Sequence, residues 1–159
     1  MIVVSDSSSL IALASVGQLN LLHGLFGEVL VPGRVWDEVV QENRPGMGPI
    51  AGAAWIRTVA VPEDSYLLAL KRDVDPGEAE AMALAAEAQA DIVLLDERRA
   101  RKLAISLGFQ VVGAVGVLLR AKREGFLPQL RPVMDQMIAA GFRIGDALYG
   151  DALRDAGEL

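Results

Sequence analysis

The sequence predicts an α/β fold with a mostly parallel sheet, on three observations. Short β-branched runs such as Ile2-Val3-Val4 and Val29-Leu30-Val31 alternate with stretches of helical periodicity. These runs are continuously apolar, as strands covered on both faces are. Two of them lead directly into an aspartate, Asp6 and Asp96.

In order along the chain, Ile2-Val3-Val4 is a strand stopped by Ser5-Asp6. Residues 7–16 carry a helical pattern that Ser or Asp can cap, and residues 18–26 carry a second. The strand at 29–31 is stopped by Pro32. That proline suits the first turn of a helix reaching about Glu42, with Val35, Trp36, Val39 and Val40 as its apolar face. Residues 44–49, rich in Pro and Gly, read as a loop. Residues 55–61 alternate like a strand and 64–72 look helical. Asp75-Pro76-Gly77-Glu78 is a helix start, with an Asp cap, Pro in the first turn and an acid near the positive end. The alanine-rich run to Gln89 has high helix propensity. Residues 92–95 form a strand ending in Asp96, followed by a basic helix through Leu107 that Gly108 closes. A strand at 109–112 turns through Gly113–Gly116 into a helix ending near Gly125. Helices over 128–140 and from 146 to about 156 complete the pattern. No repeat or linker interrupts it, so a single domain over residues 1–159 is expected.

The 159 residues are enough to bury a core without staples. Apolar residues make up 52% and charged residues 23%, a globular rather than a disordered profile. The absence of cysteine excludes disulfides, thiolate catalysis and zinc fingers, and His23 is the only histidine. Ser5-Asp6-Ser7 interrupts the first apolar run, so no signal segment is read there, and no stretch approaches the ~20 apolar residues of a membrane span. A cytoplasmic protein without membrane contact is expected. The net charge of −6 disfavours simple electrostatic binding of nucleic acid. Its distribution is uneven: residues 1–90 hold 5 basic and 12 acidic side chains, residues 91–159 hold 10 and 9. The basic ones bunch as Arg98, Arg99, Arg101, Lys102 and as Arg120, Lys122, Arg123. They are either solvated helix faces or arginines kept for phosphate.

Asp6 and Asp96 carry the chemistry if any residues do. Ligands of open parallel sheets bind outside the carboxyl ends of the strands, near the switch in strand order. Glu78 opens the helix that leads into the Asp96 strand, and Glu38 lies on the flank of its helix beside the apolar positions 35 and 39. Four carboxylates without histidine or cysteine make a hard oxygen site suited to Mg²⁺ or Mn²⁺, able to activate water against a phosphodiester. Singly, each has a plainer reading: Asp6 and Asp96 as helix caps, Glu78 as a complement to the helix dipole, Glu38 as a solvated residue. Ser7 to Ser9 read as plain helix caps ahead of the alternative, donors to a metal-bound carboxylate or a phosphate. Gly46-Met-Gly48-Pro-Ile-Ala-Gly52 has the wrong spacing for a dinucleotide fingerprint and reads as a loop. His23, between apolar neighbours, reads as structural, and Leu130, Met134, Met137 and Ile138 as an apolar stripe.

The segments Val4-Ser-Asp-Ser-Ser-Ser-Leu-Ile11, Gly77-Glu-Ala-Glu-Ala-Met-Ala-Leu-Ala85, Leu94-Leu-Asp-Glu97 and Gly113-Ala-Val-Gly-Val-Leu-Leu119 resemble the PIN-domain branch called DUF3368. Gly141-Phe-Arg-Ile144 with Ala147-Leu-Tyr149 extends the resemblance over nearly the whole chain. It implies a three-layer α/β/α sandwich around a central parallel sheet. It also implies a divalent-metal endoribonuclease, often the toxin half of a VapBC-like pair with a small antitoxin protein. Matched position by position, the acids of the resemblance are Asp6, Glu38, Glu78 and Asp96, with 18 residues from Glu78 to Asp96. Glu80 and Glu97 are additional or substitute metal ligands. Arg98, Arg99, Arg101, Arg120, Lys122 and Arg123 are the candidates for gripping the RNA backbone. The chain departs from the pattern in three places: Glu stands at 78 where Asp is commoner, Leu at 94 where Thr or Ser often precedes the last acid, and Ser at 9 where Pro is frequent. The missing hydroxyl at 94 bears on catalytic efficiency. A homodimer is expected from the mean hydropathy of +0.34 and from the habit of such proteins. The alternative is a PIN fold of weak or no activity that binds RNA or protein.

Overall fold

The structure is a computed structural model that describes residues 1–41 and 47–159. Its five strands are β1 (Val3–Ser5), β2 (Val29–Pro32), β3 (Ile56–Val59), β4 (Ile92–Leu94) and β5 (Val111–Val112). They form one all-parallel sheet in the order β3-β2-β1-β4-β5. The chain leaves β1 for β2 on one side and later enters β4 on the other. The order therefore switches between β1 and β4, whose register pairs Val3 with Ile92 and Ser5 with Leu94.

Strand side chains alternate between the two faces, and each face gathers its own apolar core. Val3, Val29, Val31, Ile92 and Leu94 point to one face. There they meet α1 (Ser7–Ser15), α2 (Asn20–Phe26), α3 (Gly33–Val40), α8 (Ala114–Arg123), α9 (Arg131–Ala139) and α10 (Asp146–Asp155). Val4, Val93 and Leu95 point to the other, against α5 (Ser65–Leu70), α6 (Pro76–Ala88) and α7 (Arg98–Ser106). Helices, sheet and helices are the three layers expected. The inner strands β1, β2 and β4 have no solvent face, so they read as unbroken apolar runs, whereas edge strand β3 exposes Arg57 and Thr58. Each of the large side chains buried here, such as Leu10, Leu13 and Leu94, contributes about 1.5–3 kcal/mol by leaving water.

Several boundaries differ from those the sequence suggests. Pro32 ends β2 and stands as the N-cap of α3 rather than inside its first turn. The helix after it stops at Val40, short of Glu42. The loop expected at 44–49 falls partly outside the described residues, but 47–51 form a helix, α4 (Met47–Ala51), not a loop. The strand expected over 55–61 is shortened to β3, and the one over 109–112 to the two residues of β5. Both are edge strands, paired on one side only, where pairing stops as soon as the neighbour ends. The helix expected over 128–140 begins at Arg131 rather than at Pro128. No single helix among the described residues is long and apolar enough to cross a membrane.

Candidate active site at the carboxyl ends of the strands

The switch between β1 and β4 opens a crevice at their carboxyl ends, and Asp6 follows β1 directly into it. Its backbone N–H continues the sheet pairing by donating to Leu94 O at 3.1 Å. Asp6 is the N-cap of α1: Oδ1 accepts from Ser9 N at 3.1 Å. Oδ2 has no partner. It is the one buried side-chain oxygen or nitrogen among the described residues left so. Burial pushes the Asp6 carboxyl up to about 7, the Asp96 and Glu78 charges push the same way, and the bonds from Ser9 oppose them.

Asp96 stands two residues beyond β4. Oδ2 accepts from Ser9 Oγ at 2.7 Å and Oδ1 from Ala114 N, at the start of α8, at 2.8 Å. It does not cap its own helix. That is done by Glu97, whose Oε2 accepts from Ala100 N at 2.8 Å. A side chain at Gly113 would collide with the Asp96 carboxylate, since a Cβ there would lie 2.9 Å from Oδ1 and from Arg101 Nη1.

Glu78 is buried at the third position of α6. It forms a reciprocal capping box with Asp75: Glu78 N donates to Asp75 Oδ1 at 2.7 Å, and Asp75 N donates to Glu78 Oε1 at 3.2 Å. Burial, then the charges of Asp75 and Glu97, pushes Glu78 up to about 7. Glu38 reaches the same end of the sheet from α3. Its Oε2 accepts from Ser7 Oγ at 2.9 Å, and its Oε1 lies 3.0 Å from where a Gly77 Cβ would be. Glycine at 77 leaves room for Glu38 to lie this close to the first turn of α6; a Cβ there would make the carboxylate shift slightly. The other two acids are occupied elsewhere: Glu80 pairs with Arg34 at 2.6 Å, and Glu97 is the cap just described.

The four carboxylates thus sit at one end of the sheet. Yet among the described residues no three acidic or histidine side chains stand in range of a common ion. All four are drawn to hydrogen-bond donors instead, Asp6 through Oδ1 alone. A carboxylate has about four lone-pair positions, and Glu38, Glu78 and Asp96 use one or two each. An unpartnered buried oxygen costs free energy and is uncommon in folded proteins. The all-oxygen donor set around Asp6 Oδ2 fits a hard divalent cation, and that oxygen is the one it would satisfy.

The basic residues divide. Arg101, Arg120 and Arg123 line a cleft of about 620 Å³ that begins at Asp96 and is floored by Val112, Leu119, Met137 and Ile144. Arg101 Nη1 donates to Leu95 O at 2.8 Å, which pins it beside Asp96. Arg120 lies over the Phe26 ring at 5.0 Å and bonds Glu124 at 3.0 Å. Arg98 and Arg99 are exposed at the start of α7. Lys122 turns away to Glu158 at 2.9 Å, where it helps anchor the last residues. The sequence reading missed Arg143, which joins the cleft from the segment after α9. Its place in Gly141-Phe-Arg-Ile144, a segment that shares the family resemblance, was the available signal. The sequence reading also favoured plain helix capping for Ser7 and Ser9, but their hydroxyls serve Glu38 and Asp96 rather than the helix end. His23 is structural: Nδ1 contacts Gly27 O at 2.7 Å and the ring stacks on Trp55 at 5.4 Å between centroids.

A family model described as DUF3368, PIN domain, matches residues 2–158. No curated protein and no solved structure matches the chain.

Proposed function

The chain belongs to the PIN-domain family, whose members are generally nucleases, and from that premise we propose that it is a divalent-metal-dependent endoribonuclease. One observation carries the reading: the buried Oδ2 of Asp6, bare of partners, at the sheet's switch point beside Asp96 and Glu78. Asp6 and Asp96 would hold Mg²⁺ or Mn²⁺, with Glu78 and Glu38 completing the oxygen set. A bound divalent ion supplies Lewis-acid activation of water and neutralises charge on the phosphodiester. The chain's own groups do the rest. Burial and the neighbouring acids push Asp6 and Glu78 up to about 7 while no cation is near, so a bound divalent ion would offset that penalty and hold both ionised. Arg101 keeps most of its guanidinium donors for a phosphate after bonding Leu95 O, and Arg120 and Arg123 extend that positive edge along the cleft.

Cleavage of RNA should require Mn²⁺ or Mg²⁺, fail in chelator, and not be restored by Zn²⁺, for which the site has no soft ligand. Asp6→Asn should abolish it. Full activity in chelator, or an active Asp6→Asn protein, would remove the metal mechanism. The absence, among the described residues, of three carboxylates in range of one ion favours a second reading, a PIN fold that only binds RNA or protein. It predicts binding that survives Asp6→Asn in a protein that never cleaves. Within the first reading the chain is the toxin of a VapBC-like pair, paired as a homodimer and acting in the cytoplasm. A short companion reading frame beside its own is the observation that tests the pairing.

A further inference from the structure

Ser9 is fully buried, and among the described residues it is the one whose groups donate hydrogen bonds to the side chains of both aspartates of the crevice. Its backbone N–H donates to Asp6 Oδ1 at 3.1 Å and its hydroxyl to Asp96 Oδ2 at 2.7 Å. Two carboxylates 90 positions apart in the chain are therefore referenced to a single helical residue. We propose that Ser9 is a positioning residue that holds Asp96 toward Asp6 for ligation of the divalent ion, an inference that rests on the metal reading above.

The geometry makes the hydroxyl more than a filler of space. Asp96 is exposed, sits past the end of β4 and does not cap α7, so nothing in its own segment fixes its side chain. Ser9 Oγ and Ala114 N each take one oxygen, which orients the carboxylate and leaves a further lone pair on both oxygens. Leu94 and Leu95 are both buried in the two cores and offer Asp96 no hydroxyl from its own strand. Ser9 supplies one from across the sheet switch. Neither Ala nor Pro at position 9 replaces it: Ala lacks the hydroxyl, and Pro lacks the N–H as well. Ser7 performs a parallel service for Glu38 at 2.9 Å, so one turn of α1 orders three of the four acids. Partners that orient metal ligands in this way typically matter 10–100-fold in metal affinity.

The test is calorimetric titration of Mn²⁺ into the wild-type protein, Ser9→Ala, Asp96→Asn and the double variant, with Asp6→Asn as reference. Ser9→Ala keeps the N–H bond to Asp6 and the helix, so it should remain folded, which circular dichroism and a thermal melt in chelator check. Its affinity for Mn²⁺ should fall by roughly tenfold or more. In the Asp96→Asn background the same change should cost little further, because its object is already gone. A folded Ser9→Ala protein that binds Mn²⁺ like the wild type overturns the proposal, as do fully additive losses, which would mean that Ser9 acts elsewhere. Wild-type protein that binds no Mn²⁺, or Asp6→Asn that binds it undiminished, overturns the metal reading and this inference together. That outcome is distinct from failure of Ser9 alone, in which the wild type and Asp6→Asn differ as expected.

Discussion

The two oxygens of Asp6 have separate tasks, and their separation has a measurable consequence. Oδ1 caps α1, while Oδ2 is buried without a donor. The folded carboxyl titrates near 7, above its ordinary 3.8, so ionising it in the folded protein costs free energy. Without metal that penalty is absent below about pH 4, grows as the pH rises and is complete above about pH 7; Glu78 behaves alike. Asn caps a helix as well as Asp. Asp6→Asn should therefore melt above the wild type in chelator at about pH 8, by a free energy on the order of a few kcal/mol, and the gap should close toward about pH 4. Adding Mn²⁺ should reverse the order, because only the wild type gains from the ion. A variant that melts lower at pH 8 in chelator would show that Oδ2 is better satisfied than its surroundings suggest.

Adjacent acids at the end of β4 are assigned opposite roles by the elements around them. Glu97 caps α7, so Glu97→Ala should cost about 1 kcal/mol of stability and leave metal response intact. Asp96→Asn should do the reverse, since an Asn side-chain oxygen can still accept from Ala114 N at the start of α8 while the charge that would hold the ion is lost. Denaturant melts with and without Mn²⁺ separate the two, and equal costs would mean that the cap is shared. Gly113, at the start of α8, is the counterpart restraint. Its backbone suits any residue, but a Cβ would press on Asp96 Oδ1 and Arg101 Nη1, both movable side-chain ends. Gly113→Ala should therefore fold, displace Asp96 from Ala114 N and weaken Mn²⁺ binding severalfold by calorimetry. At the other end of the chain, Glu158 accepts from Leu130 N at 2.7 Å, Arg131 N at 3.1 Å and Lys122. Burial opposes its charge, but these three donors prevail and hold its carboxyl down to about 2. That stability is present above about pH 4.5 and is lost as the pH falls toward 2. Glu158→Gln should lower the melting temperature at neutral pH and match the wild type near pH 2.

On the scale of the molecule, charge sign varies with place. The total is −6, yet four arginines (Arg101, Arg120, Arg123 and Arg143) line one cleft whose only acid among the described residues is Asp96. Local fields of that kind act on a phosphate chain more than the total does, and they weaken with salt. Leu148 and Ile138 are exposed near the cleft. Apolar surface of this sort suits the proposed homodimer, so light scattering at micromolar concentration should give twice the chain mass. A monomer would count directly against pairing.

The layers were legible in the sequence because each depends on local pattern. Strands covered on both faces must be apolar throughout, and the helix at Asp75-Pro76 announces itself by its cap, so the order of elements and the crevice at Asp6 and Asp96 followed. Short edge strands and the helix at 47–51 were less legible, since their lengths are set by neighbours rather than by their own residues. The roles of adjacent polar residues were not legible at all. Asp96 and Glu97 are equally good caps by type, and Ser7, Ser8 and Ser9 are one repeated letter. Only the packing of α1 against the β1–β4 switch decides that Ser9 meets Asp96 while Ser7 meets Glu38. A hydrogen bond needs donor and acceptor within about 3 Å. Residues 31 and 87 positions apart are brought that close only by tertiary structure.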